Sequence, residues 1–164
     1  MIQRIQSIYL LCAIIFMAIF AFNPFMSLTT PAGTYQMNSL GIELTAPAEI
    51  VTDEVFIVSS QDYIIATISA LIVLMSIIAI FLFKNRKRQM LVCKINILLY
   101  IILFAIIGTL LYSNYTFLEA TTFKTTTFII FPICSLITNW LALSAINKDE
   151  QMVRDSERMW TRNR

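Results

Sequence analysis

The stretch YIIATISALIVLMSIIAIFLFKNRKRQMLVCKINILLYIILFAIIGTLLY, residues 63–112, decides the fold. Its first part, Tyr63–Phe83, contains no charge, proline or glycine. A helix needs roughly 20 apolar residues to cross the hydrocarbon core of a bilayer. Lys84-Asn85-Arg86-Lys87-Arg88-Gln89 follows, with four bases and no acid, and then a second apolar block, Met90–Tyr112. So short a linker predicts two antiparallel neighbouring helices.

Outward from this pair lie two more apolar blocks, Ile5–Phe22 and Phe128–Ile146. The chain has 164 residues, of which 58% are hydrophobic and 13% charged. Soluble domains carry about 25% charged residues, so the composition belongs to a membrane protein. Four spans consume half the chain. The rest is a loop at 23–62, two short connections and a tail at 147–164, with no room for a separate enzymatic domain. The predicted fold is therefore all-α: one membrane domain, a four-helix transmembrane bundle with a periplasmic β-hairpin loop and a cytoplasmic extension of the last helix. The first block is expected to be retained as a span, because Ala21-Phe22-Asn23-Pro24 lacks the small-x-small pattern of a signal-peptide cleavage site.

Charge is sorted by side. Arg4, the bases of Lys84–Arg88, Lys94 and the C-terminal five (Lys148, Arg154, Arg158, Arg162, Arg164) fall on one side of the four blocks. Lys124 alone falls on the other, with six acids: Glu43, Glu49, Asp53, Glu54, Asp62 and Glu119. Lys and Arg concentrate on cytoplasmic loops, which predicts cytoplasmic termini in a bacterial inner membrane. The same rule accounts for the basic residues without any nucleic-acid partner.

Loop 23–62 differs in character from the spans. Thr34–Met37 and Ile42–Thr45 alternate in polarity around Asn38-Ser39-Leu40-Gly41, the pattern of a β-hairpin. A lone hairpin is marginal in water, so it should rest on the helix ends or pair with another edge. Val55–Val58 is a third candidate strand or an extension of the second span. In the fourth block, Pro132 should loosen the first turns. After Ile146 the helix should continue through Asn147–Trp160, where Ile146, Met152, Val153, Met159 and Trp160 recur near a seven-residue spacing as one apolar stripe.

Residues able to do chemistry are few. There is no histidine, and Cys12, Cys93 and Cys134 sit in three different spans. Neither a disulfide, a zinc site nor a bound cofactor is expected; the cysteines read as small packing residues. Ser59, Ser60 and the Thr-rich run 121–127 lack an activating base, so no catalytic residue is assigned. The acids of the loop match no calcium-loop spacing. Lys94 is the one ionisable residue within a block. It lies about two turns from the basic linker, near enough for its stem to reach the headgroups. Lys84, Arg86, Lys87, Arg88 and Lys94 are thus candidate contacts for anionic lipid. Asn96 and Asn139 suit interhelical hydrogen bonds.

The two ends of the chain carry a resemblance. MIQRIQSIYLL, residues 1–11, is similar to the opening of the DUF4293 family of small membrane proteins from Bacteroidota. AINKDEQMVRDSER, residues 145–158, is similar to its closing segment, which reads KDE, a spacer, V-R/K, a small or polar residue and D/E-R. Here Asp155 precedes Ser156-Glu157-Arg158, a small variation. The resemblance implies a Bacteroidota inner membrane and brings no activity with it. It also directs attention to the two cytoplasmic ends, where Arg4 would meet Asp149 or Glu150.

The expected function is a non-enzymatic accessory or scaffold subunit of an envelope complex. Its partners would be the lipid bilayer and a membrane protein or further copies of itself. Docking would use Arg4, Lys148, Asp149, Glu150, Val153, Arg154, Glu157, Arg158 and Trp160. A small transporter or channel component is the first alternative and predicts a polar cavity lined by Lys94, Asn96 and Asn139. A lipid-handling enzyme is the second, and it lacks clustered acids, histidine or a Ser/Lys pair at either membrane face.

Overall fold

The computed structural model describes residues 3–30, 33–47, 63–117 and 122–162. Its frame is four helices: α1 (Gln3–Phe22), α2 (Tyr63–Phe81), α3 (Arg86–Phe117) and α4 (Ile130–Arg162). Each is long and apolar enough to cross a membrane. The helices form a square in which α1 packs on α2 and α4, and α3 packs on the same two. Paired cross-links show antiparallel neighbours: Gln6–Asp149 with Ala13–Ser135 between α1 and α4, and Cys93–Asn139 with Tyr100–Ser135 between α3 and α4.

One rule describes the interior of all four helices. Buried positions recur at alternating steps of four and three residues. They are Gln6, Leu10, Ala13, Met17 and Phe20 on α1, and Ile65, Ser69, Ile72, Ser76 and Ala79 on α2. On α3 they are Gln89, Cys93, Asn96, Tyr100, Leu103 and Ile107; on α4, Ser135, Asn139, Ala142, Ile146 and Asp149. The mean step of 3.5 is the period at which a helical seam stays turned to its neighbours. Many seam positions are polar, whereas outward positions such as Leu11, Leu74, Leu98 and Ile137 are apolar and exposed. This inverts the soluble pattern and suits a hydrocarbon surround, where polar side chains find partners only between helices.

The predicted hairpin is present and belongs to a larger sheet. Strands β1 (Met26–Thr30), β2 (Gly33–Asn38), β3 (Gly41–Pro47) and β4 (Thr122–Thr125) pair antiparallel in the order β3-β2-β1-β4. Leu40 N donates to Asn38 Oδ1 in the hairpin turn. Gly41 closes that turn at φ 152°, a conformation side chains resist. Met26 pairs Met37 and Leu28 pairs Tyr35, so all four fall on one face. That face and Phe25 are buried with Phe20, Ile65 and Ile107, so the sheet caps the bundle end away from the basic turn. Ser39 Oγ donates to Ala21 O at 2.6 Å and Asn23 Nδ2 to Ile19 O at 2.8 Å, which occupies two last-turn carbonyls of α1. The candidate strand Val55–Val58 lies outside the described residues.

Two connections differ from expectation. The basic cluster is helical rather than a loop: a 3-10 turn, Leu82–Lys84, is followed by Asn85 and then directly by α3. Gln89 N donates to Asn85 O at 3.0 Å, so Asn85 opens the helix. At the other end, α3 runs on to Phe117, and β4 occupies part of what reads as a plain connection. Pro132 sits in the first turn of α4, after a 3-10 turn at Thr127–Ile129. There its missing N–H costs no helical bond.

Candidate functional site at the basic end of the bundle

Gln6, Gln89 and Asp149 are the last seam residues of α1, α3 and α4 at this end, and all are buried. Gln6 Nε2 donates to Asp149 Oδ2, joining residues 143 apart in sequence. Arg86, from the first turn of α3, donates through Nη1 to the backbone oxygen of Asp149 at 3.2 Å. Three helices are thus tied at the point where α4 leaves the bundle. Asp149 Oδ1 and Gln89 Oε1 accept no hydrogen bond from any described residue.

Deeper in the seam are two more polar levels. Asn139 Nδ2 donates to Cys93 O at 3.2 Å, and Asn96 Nδ2 to Ser76 Oγ at 2.8 Å. Ser76 in turn donates to Ile72 O at 3.0 Å. Near the middle of α3, Tyr100 and Ser135 share a hydrogen bond, and Ser135 donates to Ala13 O at 2.7 Å. Between the basic end and these levels, Leu10, Ala79, Cys93, Ala142 and Ile146 form an apolar cluster.

Past Asp149, α4 continues to Arg162. Residues 151–156, 158 and 159 are exposed, and Arg154 Nε reaches Glu150 Oε1 at 3.2 Å. Beside this arm, Asn85, Arg86, Lys87, Arg88, Glu150 and Val153 line an open cleft of about 440 Å³.

The predicted residues divide as follows. Lys148, Val153, Arg154 and Arg158 are exposed on the arm, and Glu150 is half-buried at its base. Asp149 departs from the expectation of a docking residue. It falls three positions after Ile146 and seven after Ala142, on the seam, and is only 5% exposed. Lys87 and Arg88 are exposed, while Arg86 is held against α4. Lys94 is exposed on the outer face and does not join Asn96 and Asn139 in the seam. The side chains of Arg4, Lys84, Glu157 and Trp160, and with them the expected Arg4 contact, lie outside the described residues. Sequence reasoning missed Gln6, Gln89, Ser76, Tyr100 and Ser135. Their shared signal is polar residues at steps of three and four inside apolar blocks.

The family model described as "Domain of unknown function (DUF4293)" matches residues 2–159, nearly the whole chain. The chain belongs to the DUF4293 family. A search of curated proteins finds no match. The match spans all four helices, the sheet and the tied basic end, so the seam and the first part of the arm both lie within the DUF4293 region. No group of three or more metal-ligating side chains occurs among the described residues.

Proposed function

We propose that this DUF4293 protein is a non-enzymatic accessory or scaffold subunit of an envelope complex in a bacterial inner membrane, with both termini cytoplasmic. The observation that carries this reading is the arm. The helix runs 13 residues beyond Asp149, to Arg162, or about 20 Å at 1.5 Å per residue. Its base is fixed by Gln6 and Arg86, so the arm is a stiff extension of the bundle. Met152, Val153 and Met159 are 43%, 41% and 65% exposed on it. Apolar side chains grouped on a protruding helix mark an interaction surface. The sorting of Lys and Arg supports the orientation.

The test is photo-crosslinking in cells, with the probe placed at Met152 or Met159 and a control at Leu98. A discrete protein adduct from the arm positions, absent from Leu98 and abolished by Val153→Asp, is expected. Adducts from the control alone, or adducts unaffected by Val153→Asp, would overturn the reading.

The transporter or channel reading draws on the buried amides, since Asn96 Oδ1 and Asn139 Oδ1 accept no hydrogen bond from described residues. Against it stand the apolar cluster around Cys93 and the outward position of Lys94.

A further inference from the structure

Among the described residues, Lys87 and Arg88 in the cleft beside the arm form no ion pair. Three consecutive bases, Arg86, Lys87 and Arg88, line it together with Asn85. They form the first turn of α3, whose leading amides have no acceptor within their own helix. Cations and free amides at one helix start add their fields and favour an anion. Arg86 is already positioned, because one of its nitrogens is bonded to Asp149 O. Its remaining donors keep the fixed fork that suits a phosphate.

A second observation identifies the kind of anion. Leu91 lies three and four positions beyond Arg88 and Lys87, on the same face of α3. From it runs an exposed apolar strip at helical spacing: Leu91 57%, Ile95 41%, Leu98 57% and Ile102 40%. The strip is about 16 Å long. A basic turn standing one helical turn from the end of an apolar track matches an amphiphile. A soluble phosphate has no use for the track. Lys94, exposed three positions after Leu91, can lift its ammonium back toward the recess.

We propose that the Asn85–Arg88 cleft binds the phosphate of an anionic phospholipid, whose acyl chain lies along Leu91, Ile95, Leu98 and Ile102. Glu150 is the opposing feature. It lines the same cleft, and its ion pair with Arg154 draws part of its charge toward the arm. Its carboxylate weakens the site, so its neutralisation strengthens binding. The assignment is independent of what the arm docks.

The test is native mass spectrometry of the full chain in detergent, titrated with phosphatidylglycerol or phosphatidylcholine. Phosphatidylglycerol should bind more tightly. Each base removed, as in Lys87→Gln or Arg88→Gln, should weaken it about fivefold. Glu150→Gln should tighten phosphatidylglycerol binding severalfold, a gain that misfolding cannot produce. Inorganic phosphate equimolar with the lipid should leave the complex intact. Equal affinity for the two lipids, displacement by equimolar phosphate, or no tightening in Glu150→Gln would each overturn the proposal. Displacement would reassign the cleft to a soluble anion.

Discussion

The Gln6–Asp149 bond offers a sharp test of how the chain ends are joined. Both side chains are buried, at 4% and 5% exposure, and each is the other's described side-chain partner. Asp149→Leu strands the Gln6 amide, and a buried donor without an acceptor costs about 1–3 kcal/mol. Gln6→Leu strands the Asp149 carboxyl group, whose Oδ1 already lacks a described partner, and should cost about 2–3 kcal/mol. Replacing both removes both stranded groups. The Gln6→Leu/Asp149→Leu variant should therefore lose at most about 1 kcal/mol, because paired apolar replacement is close to neutral. The expected coupling is about 2 kcal/mol or more. The Arg86 bond goes to a backbone oxygen and survives every arm of the cycle. Asp149→Asn keeps an acceptor oxygen and should cost less than either leucine variant. The assay is reversible unfolding in mixed micelles by titration with a denaturing detergent, followed by circular dichroism. Additivity of the two single changes within about 0.5 kcal/mol, the margin for independent sites, would refute the reasoning.

Four further outcomes follow from the geometry. Asn96→Leu removes the bond to Ser76 and should cost about 0.6–1.7 kcal/mol in the same assay, the range of interhelical bonds in membrane bundles. Gly41→Ala places a side chain at φ 152° and should cost about 1–3 kcal/mol, read as a loss of sheet protection in hydrogen exchange. Cysteines placed at Leu40 and at Lys87, both exposed, should label from opposite faces of sealed vesicles; labelling from one face would reject the topology. With Cys12 and Cys134 replaced by alanine, Cys93 should resist a small cationic thiol reagent, because it is fully buried among Leu10, Ala79, Ala142 and Ile146.

How legible these features are depends on where their determinants lie. The four long helices follow from local composition, and the β2–β3 hairpin from an alternating pattern around a turn that needs Gly41. Strand β1 alternates as well, with Met26 and Leu28 on the buried face, but β1 and β4 are short and no turn joins them. Met26–Thr30 and Thr122–Thr125 are rich in Thr, and they pair across more than 90 residues, as Ser27 with Lys124. Nothing in either segment alone specifies the other. The seam is hidden differently. Its polar members are Ser, Asn, Gln and Tyr scattered through apolar blocks, and in a bilayer it is the outward face that must be apolar. Asp149 is concealed by its neighbours: Lys148-Asp149-Glu150 reads as a solvated charge run, while helical phase turns the middle residue inward.

That phase also bears on what the interior can do. The seam has polar levels at Gln6/Gln89/Asp149 and at Ser76/Asn96/Asn139, and acceptor oxygens without a partner among the described residues occur at both. A conduction path would have to join them. What lies between is Leu10, Ala79, Cys93, Ala142 and Ile146, with Tyr9, Ile80, Met90, Val92 and Leu143 packed around them. Carrying an ion through such a cluster incurs the full desolvation cost, with no carboxylate or amide to offset it. The polar levels instead tie α4 to α1 and to α3 at more than one depth, and α2 to α3 through Ser76 and Asn96. Interhelical hydrogen bonds distributed in this way fix the register of a bundle. They also keep the last residue of the seam, Asp149, at a set height beneath the arm. A bundle of this kind is suited to holding a protruding helix in place, and the resistance of Cys93 to a charged reagent is the measurement that separates this use from transport.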